Sequence, residues 1–241
     1  MKLLDLTLGS PAGNLACDEA LLHRSEADGG EFLRFWEARE YFVVVGYANQ
    51  VETEVNVAAC RARAIPVLRR CSGGGTVLQG PGCLNYTLIL QIGARPSLAN
   101  ISSANRFIME RNREAVQSAL DRRSPAISVR GHTDLAIGER KFSGNSQRRH
   151  KRALLFHGTF LLHFDLPLVN EVLRMPSRQP DYRHGRNHGD FLVNLAVASA
   201  RLKTALGTAW NAIEETADFS DHETRRLAVE KYSTSEWNLK S

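Results

Sequence analysis

The chain has 241 residues, 43% hydrophobic and 24% charged, which suits one large globular domain or two small ones with a core that needs no staples. No apolar run approaches the roughly 20 residues that cross a bilayer. The start, Met1 to Leu6, lacks the apolar core and cleavage site of a signal peptide, so a cytoplasmic protein is expected. A net charge of +5, from 31 Lys+Arg against 26 Asp+Glu, fits an acidic partner or a nucleotide but is too modest and dispersed to require nucleic acid.

Residues 3–8 read as a strand. Asn14 to Arg24 carries Leu15, Ala16, Ala20, Leu21 and Leu22 at helical spacing, with Asn14 as N-cap, and Gly29-Gly30 breaks that helix. Phe32 to Trp36 and Phe42 to Val45 have the β-branched and aromatic content of strands. Val55 to Arg63 reads as a short helix, and Val67-Leu68 as a strand. The next stretch, Arg69-Arg70-Cys71-Ser72-Gly73-Gly74-Gly75-Thr76-Val77, anchors the whole reading. Three glycines let a backbone bend tightly and approach a ligand. Free N–H groups in such a turn make a concave anion site. Arg69 and Arg70 add fixed charge and forked donors suited to phosphate. An ordinary glycine-rich hairpin is the alternative.

Beyond the turn, Leu84 to Leu90 is a strand. Ser102 or Ser103 caps a helix from Ala104 to about Leu120, and Ile127 to Val129 is a strand. Leu135-Ala136-Ile137 and Lys141-Phe142-Ser143 flank Gly138-Glu139-Arg140 as a hairpin, and alternation puts Lys141 and Ser143 on one face. A buried ammonium at position 141 would stabilise charge developing on an acyl phosphate. Asp134 would either hold a phosphate-bridging metal ion or orient Lys141. Ala153 to Leu162 is a strand containing His157-Gly158-Thr159, and the basic run Arg148 to Arg152 before it is a hairpin tip or a docking surface for an acidic protein. Residues 176–190 form a polar loop, either functional or a surface insertion. His157, His184 and His188 match no metal-ligand spacing, and no metal site of the chain's own is expected. Cys17, Cys60, Cys71 and Cys83 form no Cys-x-x-Cys pair and should be free thiols. Helices near 196–209 and 221–230 close the chain. Strands dominate the middle without βαβ regularity, which indicates α+β: a mixed, largely antiparallel sheet flanked by helices.

Asn14-Leu15-Ala16-Cys17-Asp18-Glu19-Ala20, the Arg-Arg-Cys-Ser-Gly-Gly-Gly turn, Leu84-Asn85-Tyr86, Thr133-Asp134-Leu135, Lys141-Phe142-Ser143-Gly144 and His157-Gly158-Thr159 follow one another in this order. The set resembles the lipoate–protein ligase catalytic domain of the biotin/lipoate ligase superfamily, over residues 3 to about 237. The resemblance implies a fold related to class II synthetases, a single catalytic domain over 1–241 and no accessory C-terminal domain. It implies ATP and Mg²⁺ as cofactors and lipoate as substrate. A carboxylate attacks ATP to give an acyl-adenylate, and a lysine of an acceptor takes the acyl group. The acceptor would be a lipoyl domain of a 2-oxoacid dehydrogenase or the glycine cleavage H protein, with a separate accessory ligase chain as a further partner. Nucleotide contacts would fall on Arg70, Ser72, Gly73, Gly74, Gly75, Thr76, Val77, Leu78, Asp134 and Lys141, with Lys141 catalytic. Acyl contacts would fall on Gly75, Asn85, Gly144, His157 and Gly158. Two positions depart from the pattern: Gln79 stands where many ligases have His, and Cys71 where Ser is common. Octanoyltransferases of the superfamily use a cysteine just before the hairpin, near His132, where this chain has none.

Overall fold

A computed structural model describes residues 1–240. Eleven strands form where β-branched and aromatic residues gather: β1 Lys2–Asp5, β2 Phe32–Trp36, β3 Phe42–Val45, β4 Val67–Arg69, β5 Val77–Gln79, β6 Cys83–Gln91, β7 Ile127–Arg130, β8 Asp134–Ile137, β9 Arg140–Arg149, β10 Ala153–Leu161 and β11 Glu214–Glu215. The helices are α1 Pro11–Asp28, α2 Val51–Glu54, α3 Val57–Ala62, α4 Ile101–Ala119, α5 Leu166–Val172, α6 His188–Phe191, α7 Ser199–Ala209, α8 Asp221–Leu227 and α9 Ser235–Asn238. Eight strands make one sheet in the order β11-β1-β2-β6-β10-β9-β8-β7, and β4-β3-β5 make a second. Pairing is antiparallel except at β11–β1, β1–β2 and β3–β4, so the class is α+β with a mixed, mostly antiparallel sheet.

Three local expectations shift. Ser10, not Asn14, caps α1, accepting from Gly13 N at 3.1 Å with Pro11 at the first helical position. Asn14 instead lies inside the helix and ties Leu8 to it, accepting from Leu8 N and donating to Leu8 O, both at 3.0 Å. Asn100 caps α4, and Ser103 sits at its N3 position and closes a reciprocal capping box. The strands on either side of the glycine turn do not pair with each other. Each pairs with β3, β4 parallel and β5 antiparallel, so the turn is a crossover rather than a hairpin.

The large sheet has two unlike faces. One packs Leu33, Phe35, Leu84, Leu88, Phe156 and Phe160 against α4 and α7 in the main core. Cross-strand register sorts the other face into rows. Phe32, Ile89 and Leu155 form an apolar row packed with Cys17, Leu21 and Leu22 of α1. Next come Arg34, Thr87, His157 and Ser146, then Trp36, Asn85, Thr159, Gly144 and Asp134. Cys83 and Leu161 begin a further apolar row that packs with α5 and the small sheet. The polar band two rows deep is unusual in a buried sheet, and it marks the site.

Candidate active site

A cavity of about 970 Å³ opens over this band, between the large sheet, the glycine turn with β5, and the segment from Pro176 to Leu192. That segment is therefore a wall of the cavity rather than a surface insertion. Its Tyr182 hydroxyl donates to Asp134 Oδ2 at 2.8 Å, and Arg130 stacks over the Tyr182 ring. The sequence leaves the loop open between two roles, and of its residues only His184 and His188 stand out, as non-matching metal ligands; Tyr182 does not. A tyrosine that reaches 48 positions back along the chain leaves no local signal.

Both arginines of the glycine turn have work to do within the fold. Arg70 folds back into the turn and donates to Gly73 O at 2.5 Å, Gly75 O at 2.7 Å and Ser72 Oγ at 3.1 Å. Burial pushes its pKa down to about 10, which keeps it charged at neutral pH. Arg69 points away and donates to the carbonyls of Gly46, Tyr47, Asn49, Trp237 and Lys240. Its forked donors therefore gather backbone carbonyls outside the cavity instead of facing a phosphate. The loop after β3 and the C-terminal segment, which have no ladder partners there, leave such carbonyls in need of donors. Of the turn itself, Gly74, Gly75, Thr76, Val77 and Leu78 line the cavity, while Ser72 and Gly73 stand behind the lining. Gly74 has φ +87° and its carbonyl presses on Gly46, which no larger residue could approach so closely.

Ser72 Oγ lies 2.5 Å from His157 Nε2 and 2.9 Å from Ser146 Oγ. On the other side of the imidazole, Nδ1 is 3.6 Å from Asp18 Oδ2. Burial depresses the His157 pKa against the pull of Asp18, so the ring is neutral at pH 7. Asp18 itself is held by Arg34, whose Nη1 is 2.6 Å from Oδ1 in a pair almost sealed from solvent. Arg34 also donates to Leu6 O, Asn14 O and Asn14 Oδ1. Burial alone would raise the Asp18 carboxyl; Arg34, and then His157, bring it below the ordinary carboxylate range.

Lys141 Nζ lies 2.7 Å from Asp134 Oδ1. The pairing register shifts at Leu135/Ala136, a β-bulge, and this undoes the expected alternation with Ser143. The ammonium rests over Gly144 instead, so close that a Cβ there would stand 2.6 Å from Nζ. Glycine at 144 is thus the perch that lets Lys141 lie flat on the sheet. Gly158 is likewise closed to any side chain, because Asn145 Oδ1 occupies the space. Asn145 bonds Tyr86 Oη at 2.6 Å and Thr133 O at 2.7 Å, and so fixes the loop that leads into Asp134. Lys141, Gly74, Gly75, Asn85, Asp134, Gly144, His157 and Gly158 all face one cavity.

Several polar atoms in that cavity have no hydrogen-bond partner although they are buried: Asp18 Oδ2, Trp36 Nε1, Gln79 Oε1, Asn85 Nδ2 and Thr87 Oγ1. Among the described residues no group of three or more His, Cys, Asp or Glu could hold a metal ion. Mg²⁺ often relies on one or two carboxylates plus substrate phosphates, and Asp134 fits that limited role. All four cysteines are buried and free, and none lines the cavity. Burial drives the thiol pKa to about 11 for Cys17 and about 12 for Cys71, and raises Cys60 and Cys83 as well.

The fold is that of a lipoate ligase. A bi-partite lipoate protein ligase from Thermoplasma acidophilum, solved in a study of an archaeal lipoylation system with its E2 lipoyl domain, superposes with a TM-score of 0.82 at 24% identity, covering 99% of this chain and 95% of that one. The model of the lipoyl protein ligase A/B catalytic domain matches residues 10–199, and the chain belongs to that family. Similarity runs to both of its chemistries. Lipoate-protein ligase A subunit 1 of T. acidophilum is 26% identical over 98% of this chain and 95% of its own length. The octanoyltransferase LipM of Bacillus subtilis is 26% identical over 99% of this chain and 98% of its own.

Proposed function

We propose that this chain is an ATP-dependent lipoate–protein ligase. One observation carries the reading: the Lys141 ammonium and the glycine turn meet in one cavity whose lining includes no thiol. A transferase that holds its acyl group as a thioester needs an accessible thiolate, and the four thiols are buried with raised pKa values. In the ligase reading, a substrate carboxylate oxygen attacks the α-phosphorus of ATP and pyrophosphate departs. Lys141 sits beside the new mixed anhydride and balances its charge. An acceptor lysine amine then attacks the acyl carbonyl, AMP leaves, and the amine proton is released. Mg²⁺ bound with the nucleotide would neutralise phosphate charge, with Asp134 as its protein contact. Arg70, Gly74, Gly75, Thr76, Val77 and Leu78 hold the nucleotide and the start of the chain, with Ser72 and Gly73 shaping the turn from behind. Asn85, Gly144, His157 and Gly158 floor the acyl channel.

The acceptor in this proposal is a lipoyl domain or the glycine cleavage H protein. The end of β9 and the hairpin tip after it offer exposed Arg148 and Lys151, while Arg149 is tied to Leu98 O and Arg152 to Glu26. A separate accessory chain is part of the proposal too, because the Thermoplasma relative is named as a subunit. The test is mass spectrometry of an acceptor domain after incubation with ATP, Mg²⁺ and lipoate, with and without a candidate accessory chain. A lipoylated lysine that requires ATP is the expected result. Acyl transfer from octanoyl carrier protein without ATP would make the chain an octanoyltransferase, the reading favoured by the full-length match to LipM.

A further inference from the structure

Within the polar band, three side chains form a short relay. Gln79 Nε2 donates to Thr159 Oγ1 at 2.6 Å, and Thr159 Oγ1 donates to Asn85 Oδ1 at 2.6 Å. Gln79 reaches in from the small sheet, while Thr159 and Asn85 face each other across β10 and β6. Only 6% of Gln79 and 3% of Asn85 is exposed, and both line the cavity. The relay ends in two unpartnered groups, the acceptor Gln79 Oε1 and the donor Asn85 Nδ2.

This result does not depend on which way the two amides are turned. Reversing both makes Asn85 donate to Thr159 and Thr159 donate to Gln79. The unpartnered ends are then the acceptor Asn85 Oδ1 and the donor Gln79 Nε2. In either sense one donor and one acceptor are left without a partner, on two residues that line the cavity. Trp36 Nε1, in the same row as Asn85, adds a further unpartnered donor. A hydrocarbon chain lying over these groups leaves each of them unpaired, and each then costs its desolvation. A hydroxyl can both donate and accept, and so can pair with whichever end it meets.

The row also sets the distance. Lys141 Nζ rests over Gly144, which is paired with Thr159, which is paired with Asn85. Asn85 therefore lies two strand spacings from the ammonium, about 10 Å. Resting on the ligase reading, with the substrate carboxylate at Lys141, we infer that Gln79, Thr159 and Asn85 form a hydrogen-bonding port in the acyl channel. The chain takes a medium-chain acid bearing a hydroxyl toward its far end in preference to the plain hydrocarbon acid. A histidine at position 79, the residue many related ligases carry, would offer one ring nitrogen rather than an amide pair.

Isothermal titration of the intact protein with octanoate and with octanoates hydroxylated on each of the last three carbons tests the port. At least one hydroxylated isomer should bind about tenfold more tightly than octanoate. Gln79→Leu should close that gap, strengthening octanoate and weakening the favoured isomer, and Asn85→Leu should do the same by a separate route. Equal binding of octanoate and every isomer overturns the port alone and leaves the ligase reading standing. A gap that persists in both variants also overturns the port. Binding of none of these acids or of lipoate, with ATP present, overturns the ligase reading and the port together.

Discussion

The two faces of the large sheet are made by the same strands and solve opposite problems. On the core face, Leu33, Leu84, Leu88 and Phe156 meet α4 and α7 and bury apolar surface. That face contributes through area removed from water, roughly 25 cal/mol per Å². On the cavity face, Arg34, Thr87 and Asn85 are buried and His157 and Thr159 partly so, and they contribute through hydrogen bonds and one ion pair. The first face tolerates any filling of the right shape. The second works only if each polar group finds its partner, and several there have none within the protein. Stability is stored on one side of the β-layer and recognition on the other.

Substitutions can pull that division apart. The largest effect belongs to Asp18→Ala, which strands the Arg34 guanidinium in the interior. A loss of about 3–5 kcal/mol is expected by urea denaturation, although Asp18 lies beside the cavity. Leu88→Ala on the core face should cost about 2–5 kcal/mol yet leave acid affinity unchanged in the molecules that stay folded. Altered affinity there would show that the faces are not separable. Lys141→Ala should reverse the pattern: adenylate formation measured by pyrophosphate exchange falls about a hundredfold or more, while the melting temperature stays near that of the parent. A near-parental exchange rate would strip Lys141 of its role. Tyr182→Phe removes one hydrogen bond to Asp134 and should cost about 0.5–1.5 kcal/mol, read as faster hydrogen exchange across 176–190 alone. The smallest effect is on pH. Because the native pKa of His157 is depressed, the unfolded chain binds more protons as pH drops below about 6.5. Stability should be level above neutrality and decline below that point, and His157→Gln should flatten the decline. Asp18, also depressed, withdraws its contribution only at still lower pH, below about 4.

What could be read in advance follows from how local each signal is. The glycine turn, the hairpin at 138–140 and the strand Leu84 to Leu90 announce themselves within a few residues, and they stand where the residues put them. The polar band is written at spacing two, as Asn85-x-Thr87 and His157-x-Thr159 inside apolar strands; the motif set points to Asn85 and His157, while Thr87 and Thr159 carry no signal of their own. Arg34 in Phe-Leu-Arg-Phe-Trp passed as an ordinary strand residue, because its partner Asp18 is on a helix 16 positions earlier. Lys141 pairs with Asp134 as expected, but does not share its face with Ser143, since a bulge shifts register without leaving a sequence mark. The ordered motif set compensated for these gaps, because it reports the assembled site rather than any one contact.

The Arg69 clamp has a consequence for folding. Its guanidinium closes on Trp237 and Lys240, and its backbone N–H on Asn238, all close to 170 positions downstream. Closing so long a loop comes late in folding. Until the segment around Trp237 to Lys240 docks, the Arg69 guanidinium has only the carbonyls of Gly46, Tyr47 and Asn49 to hold, so the loop after β3 and the far end of the chain are locked together in one late step.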